Sequence, residues 1–274
     1  MRKNKYVLFS AVFVLLLAAS CTGGSSPRGG KNKLSFAVRE TTESILLYPE
    51  QADDSPRINF SFSLLTVAGP EELADFFYGL LYKGQEPDEY IAALVAEYQT
   101  DYVKLQSLKE EAPQKNAQSQ NWKYEEHMEF QIFSGRWCIL SREQEYYTGG
   151  AHGMAQKKHY VLDLQEPKLL TLEDFFTDPG NPDLYLLVQD ALREYAGLEK
   201  DAPLSSGSFL EDNPALSADF FLTRNGAAFH WNPYEIGPYS EGSIEVVIPW
   251  DKIRNFLTAE GQEMEQAFKG KGRS

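Results

Sequence analysis

The stretch Tyr146-Tyr147-Thr148-Gly149-Gly150-Ala151-His152-Gly153 decides how the rest of the chain is read. Adjacent aromatics run into paired glycines, then an alanine, a histidine and a third glycine. Glycine takes positive φ without a Cβ penalty and lets a backbone or a ligand come close, so the run predicts a sharply shaped corner between two strands. Before it, Trp137 to Tyr147 reads as a strand. After it, Gln156 to Leu164 reads as the next, with Tyr160-Val161-Leu162-Asp163-Leu164 alternating. Upstream, Trp122, Tyr124, Glu126, Met128, Phe130 and Ile132 alternate with Lys123, Glu125, His127, Glu129 and Gln131, a strand with one packed and one wet face. A Ser134-Gly135 turn links it to the next strand, and the three form an antiparallel meander. His127 falls on the wet face. The corner either packs its two tyrosines as a plain hairpin turn or presents them for recognition.

Working outward, Leu34 to Glu43 and Ile58 to Leu64 also alternate as strands. Pro70 stands at a first helical position, followed by Glu71 and Glu72 at the positive end of the dipole. Leu73, Phe76, Phe77, Leu80 and Leu81 give that helix its apolar face, and Gly84 ends it. From Pro87 to about Leu108, Ile91, Leu94, Val95, Tyr98, Tyr102 and Leu105 form the buried stripe of a long helix. Residues 111–120 are a polar loop. Downstream, Thr171 caps a short helix and Asn181 caps a longer one that Gly197 closes. Phe220-Phe221-Leu222 and Ala228-Phe229-His230-Trp231 flank Arg224-Asn225-Gly226, a tight-turn signal. An aromatic loop over 232–242 leads to a strand over Ser243 to Ile248. Pro249-Trp250-Asp251 then starts a terminal helix carrying Ile253, Phe256 and Leu257. No βαβ rhythm is visible. The expected class is α+β, an antiparallel meander sheet with packed helices in two small modules, 34–120 and 121–274.

The N-terminus sets the compartment. Arg2, Lys3 and Lys5 precede an apolar run from Tyr6 to Ala19 that is short for a membrane span and ends Leu17-Ala18-Ala19-Ser20-Cys21. Small residues before a cysteine suit lipoprotein processing, so residues 1–21 are expected to be a signal ending in a lipidated Cys21. Residues 22–33 are a Gly/Ser/Lys tether. The product is expected to be extracytoplasmic, held by lipid in the cell membrane or outer membrane. Cys138 then stands alone in Trp137-Cys138-Ile139-Leu140 and reads as a buried small hydrophobe. Forty acidic residues oppose 26 basic ones for a net charge of −14, and losing the basic leader makes it −17. That field disfavours nucleic acid and suits cationic partners.

The four histidines, His127, His152, His159 and His230, show no HxxH or HExxH spacing. There is no GxSxG elbow and no phosphate-cradling loop. No cofactor or metal is expected, although His152 and His159 flank the corner closely enough in sequence to be weighed as a ligand pair. The binding candidates are Tyr146, Tyr147, Gly149, Gly150 and His152 at the corner, and Tyr234 and Tyr239 in the aromatic loop, whose rings carry polar tips. The competing reading is a wall-polymer enzyme using His152 with Asp163 or Glu145. A third is a scaffold lipoprotein with only an acidic surface.

Glu145-Tyr146-Tyr147-Thr148-Gly149-Gly150-Ala151-His152-Gly153, Val161-Leu162-Asp163-Leu164, Leu170-Thr171-Leu172-Glu173-Asp174-Phe175-Phe176 and the segment from Phe229-His230-Trp231-Asn232-Pro233-Tyr234 to Gly242 carry a resemblance. Together they resemble the C-terminal module of the PdaC/RsiV-like family over residues 121–258, and residues 34–120 are similar in layout to its companion module. The resemblance implies an α+β, extracytoplasmic module, found in a lysozyme-sensing anti-sigma factor and beside a peptidoglycan deacetylase domain. No stretch of this sequence is left for a deacetylase, and only Met1 to Lys5 precede the apolar run. The implied role is a non-catalytic envelope module for a lysozyme-like protein or a wall glycan.

Overall fold

The computed structural model describes residues 34–46, 55–109, 121–133 and 135–270. The expected signal, Cys21 and the tether lie outside the described residues, as does the loop over 111–120. Nine strands and six α-helices follow one another in a mixed order among the described residues, the α+β class expected. One sheet has the order β1-β2-β3-β4-β5-β6 and a second the order β7-β8-β9. Contacts divide the chain into two compact units, residues 1–128 with 143–154, and residues 129–142 with 155–274. The division passes through strands β3 and β4, whereas the sequence-based modules meet in the loop before Trp122.

In the first unit, β1 (Ser35–Leu46) and β2 (Arg57–Ala68) pair antiparallel from Ser35↔Ala68 to Leu46↔Arg57. Ile58, Phe60, Phe62 and Leu64 alternate onto the buried face of β2, against helices α1 (Glu71–Tyr82) and α2 (Pro87–Lys109). Lys83 takes a left-handed φ of 58° to end α1. Strand β3 (Trp122–Phe133) then pairs parallel to β2, from Ile58↔Trp122 to Ser63↔His127. Parallel neighbours need a crossover, and α1 with α2 supply it. The sequence predicted only antiparallel pairing. The helices cover one face of β2, so Asn59, Ser61 and Ser63 stay polar and the run of apolar residues that marks a strand buried on both faces is missing. Ile91 and Tyr102 of α2 are buried, but Leu105, expected in the stripe, is 39% exposed.

In the second unit, β5 (Met154–Asp163) pairs antiparallel with β6 (Lys168–Leu170), a short strand where the sequence suggested the approach to a helix. Helix α3 (Leu172–Phe175) starts at Thr171 with a reciprocal Thr171–Asp174 capping box. Helix α4 (Pro182–Tyr195) starts at Asn181, whose side chain accepts from the Asp183 amide at 2.9 Å. β7 (Phe220–Leu222), β8 (Gly226–Trp231) and β9 (Ile244–Pro249) pair antiparallel. At Gly226 an added Cβ would lie 1.8 Å from the Ile248 carbonyl oxygen, so only glycine fits beneath β9. The expected single terminal helix is two: α5 (Trp250–Ile253) and α6 (Ala259–Gly270). The chain extends at Leu257, which bridges to Phe176, and Thr258 Oγ1 accepts from the Gly261 amide to restart the helix. No helix among the described residues is long and apolar enough to cross a membrane.

Candidate functional site

The glycine corner lies between strand β4 (Trp137–Tyr147) and β5, in the first unit. Gly149 and Gly150 hold φ of 94° and 106°. A Cβ on Gly153 would meet the Tyr146 carbonyl oxygen at 2.9 Å. The three glycines therefore fold the chain back on its tyrosines, and Tyr147 Oη donates to the Gly150 carbonyl at 3.0 Å. Tyr146 and Tyr147 are half-buried, neither core pins nor fully open. Tyr147 lines a cavity of about 410 Å³ with Asn59, Ser61, Trp122, Lys123 and Glu125. Lys123 and Glu125 neutralise each other at 2.7 Å, so this cavity offers amide and hydroxyl groups beside the rings of Phe60, Trp122 and Tyr147.

His152 is exposed, its Nδ1 2.8 Å from the Gly153 carbonyl oxygen, and it does not line the Tyr147 cavity or either of two cavities in the second unit. Of its suggested acidic partners, Glu145 is exposed. Asp163 is buried and engaged at 2.6 Å by Arg136, which also reaches Glu260 and Glu263. Burial opposes the charge on Asp163, but Arg136 and the Gln165 and Glu166 amides outweigh it and hold the carboxyl below its usual range. Burial pushes the Cys138 thiol up to about 12, the environment of a packing residue.

In the first unit the Glu126 carboxylate is also buried, accepting from Tyr124 Oη at 2.5 Å and Tyr90 Oη at 2.9 Å. Burial and then the Glu126 charge raise the Tyr124 phenol far above its usual value, so it stays a neutral donor. This cluster holds β3 to α2.

The aromatic loop belongs to the second unit. Tyr234 takes a positive φ of 72° and donates its amide to the Gly237 carbonyl at 3.0 Å. That turn stacks its ring on Tyr239, with centroids 5.8 Å apart and planes 30° from parallel. Tyr234 is 49% exposed. Leu210, 60% exposed, donates its amide to the Ile236 carbonyl at 2.9 Å, which ties a second loop to this one. The sequence candidates thus form two groups, one in each unit.

A third cluster escaped the sequence reading. In the second unit, Asp219 Oδ1 accepts from the His159 amide at 2.9 Å and lies 3.2 Å from His159 Nδ1. The His159 ring stacks on Phe221 at 4.0 Å and meets the edge of His230 at 5.1 Å. His230 Nδ1 is 3.9 Å from Glu245 Oε2, too far for a hydrogen bond but close for electrostatic attraction. The His230 imidazole lowers the Glu245 carboxyl pKa, burial opposes this, and His159 and Lys157 add to the lowering. Asp219 Oδ2 and His230 Nδ1 are buried without a hydrogen-bond partner. His159, Lys157 and Glu245 line a cavity of about 660 Å³ together with Glu129, Arg224 and the apolar Phe130, Ile139 and Phe221. A signal was present: Lys157, His159 and Asp163 share the strand phase of buried Val161, so ionisable groups occupy a packed face. Among the described residues no three His, Cys, Asp or Glu side chains are grouped to hold a metal ion.

The fold of the chain is similar to that of solved structures. A member of the DUF3298 family from Bacteroides fragilis superposes with a TM-score of 0.75 at 22% identity, covering 88% of this chain and 100% of its own. A DUF3298 family protein from Pseudomonas aeruginosa PAO1 gives 0.54 at 17% identity, over 84% and 97%. Residues 173–251 match the family described as a protein of unknown function, DUF3298. That segment runs from α3 into α5 and holds Asp219, His230, Glu245 and the aromatic loop. No curated protein matches the chain.

Proposed function

We propose that this chain is a lipid-anchored envelope protein whose second unit binds a cationic, wall-associated protein of lysozyme type without catalysing a reaction. One observation carries the reading: the Tyr234–Tyr239 stack, with Tyr234 exposed, is tied to Leu210, and the two segments that hold these residues carry only acidic charges. Residues 201–223 and 232–251 contain Glu211, Asp212, Glu235 and Glu241 and no lysine or arginine. Aromatic anchors beside Glu211 and Glu235, which share a cavity with Lys158, suit a partner of net positive charge, steered by the acidic chain and held by the rings. The likeness of residues 121–258 to the PdaC/RsiV-like family supports the same partner class. His152 lines none of the three cavities described, which weighs against the enzyme reading. A second reading, a glycan at the glycine corner, is favoured by the neutral, ring-flanked cavity at Tyr147.

The test is retention of the soluble form, lacking residues 1–21, on immobilised lysozyme and on peptidoglycan fragments. Retention on lysozyme at low salt, lost at high salt and weakened roughly tenfold or more by Tyr234→Ala, is the expected result. No retention at low salt overturns it, and retention on peptidoglycan that depends on Tyr147 supports the glycan reading instead. For the anchor, labelled palmitate should appear on the wild-type chain and vanish in Cys21→Ala.

A further inference from the structure

We propose that a cavity of about 340 Å³ in the second unit is a site for one primary ammonium group on an aliphatic stem, the chemistry of a lysine side chain. That a wall-associated protein supplies this lysine rests on the proposed function, whereas the site rests on its own residues. Asp219 is its centre. Only 7% of the Asp219 side chain is exposed, and its backbone is bound on both sides. The amide donates to Ser217 Oγ at 3.0 Å, and the carbonyl accepts from the His230 amide at 2.9 Å. Oδ1 is spent on His159, accepting from its amide at 2.9 Å and lying 3.2 Å from Nδ1. Oδ2 is buried and has no hydrogen-bond partner among the described residues, which leaves it as the oxygen for the cavity that Asp219 lines. A buried carboxylate oxygen in this state favours a donor that brings its own positive charge.

The rest of the wall selects among cations. Glu211 and Glu235 line the same cavity from exposed positions, each next in sequence to an aromatic-loop anchor, Leu210 and Tyr234. Glu235 Oε2 already accepts from the Asn232 amide at 2.9 Å. Neither Asp219 nor Glu235 therefore offers both oxygens. A guanidinium fork is matched by the two oxygens of one carboxylate, whereas an ammonium directs three donors to separate acceptors. Leu216, Trp231 and Ile236 give apolar surface for the stem, and the Trp231 indole Nε1 donates to the Ala215 carbonyl at 3.4 Å. Lys158 also lines the cavity, but it makes no ion pair among the described residues, and three carboxylates outnumber it. Its charge competes with a ligand without replacing one.

Calorimetric titration of the full chain in detergent would use N-acetyl-lysine methylamide, with its arginine and norleucine counterparts as controls. Saturable millimolar binding of the lysine derivative is expected, weaker by roughly fivefold or more for arginine and absent for norleucine, which keeps the stem without the charge. Asp219→Asn should weaken it by about tenfold, since the asparagine carbonyl still holds His159 while the charge is gone. Two milder variants guard against misfolding of that one. Glu235→Gln should weaken binding and Lys158→Met should tighten it, each by roughly threefold and with unchanged thermal melting. Absence of saturable binding, equal binding of either control, or indifference to all three substitutions overturns the proposal. Tyr234→Ala should leave affinity for the lysine derivative intact. If that derivative binds while lysozyme is not retained, the aromatic-loop reading alone fails.

Discussion

The glycine corner of the first unit and the histidine cluster of the second reach unusual geometry by opposite routes. At the corner, every determinant lies within Tyr146 to Gly153: two positive φ values, one close backbone approach and one tyrosine hydroxyl turned onto Gly150. In the cluster, His159, Asp219, His230 and Glu245 come from separate strands and a loop, and no short stretch contains them. Local backbone chemistry shapes the first. The pairing of β7, β8 and β9 assembles the second. The difference teaches that a shape can be encoded by neighbours in sequence, whereas a cluster of buried ionisable groups exists only once a sheet has formed.

The sharpest way to break this contrast is to disturb the sheet. Gly226→Ala places a Cβ against the Ile248 carbonyl and should cost about 3 kcal/mol or more, read as a large fall in Tm with loss of hydrogen-exchange protection in β8 and β9. Protection in β1 and β2 should persist, and equal loss there would deny the units separate behaviour.

A smaller effect is expected at Asp163, which shares the strand face of Lys157 and His159. Asp163→Asn should destabilise the second unit by about 2 kcal/mol at neutral pH, because Arg136 loses its buried partner. The folded carboxyl titrates below its unfolded value, so its contribution is complete above about pH 4 and disappears as pH falls through the folded value. Glu265, lowered first by Arg254 and also by Lys269, acts in the same direction. Denaturant unfolding of wild type should therefore weaken in acid, and the Asp163→Asn profile should be flatter below about pH 4.

The smallest effect belongs to the corner. Gly150→Ala meets no atom within 4 Å, so only its φ of 106° is strained and the cost should be about 1–2 kcal/mol, confined to protection of Tyr146 to Gly153. A loss spread through either unit would show that the corner is less local than its geometry indicates.

Much of the fold was legible in the chain. Periodicity located β1 to β5, α1, α2 and α4, and the caps at Thr171 and Asn181 stand where short polar side chains before apolar runs placed them. The glycines marked a bent corner before any coordinate did. Missed were β6, which is only three residues long, and the break at Leu257–Thr258 and the parallel β2–β3 pair, which depend on partners remote in sequence: Phe176 for Leu257 and Ile58 for Trp122. The candidate tyrosines were legible as types, but their separation into two units was not.

By itself the sequence determined the α+β class, the acidic surface, the buried character of Cys138 and the glycine-built turn, since hydropathy period, charge and φ preference act over a few neighbouring residues. Only the tertiary structure decided that His159 meets Asp219 and His230, that Glu245 approaches His230 and lines a cavity with His159, and that His152 does not line it. A buried imidazole needs a partner, and which carboxylate supplies it depends on strand register set across 60 residues of chain, from His159 to Asp219.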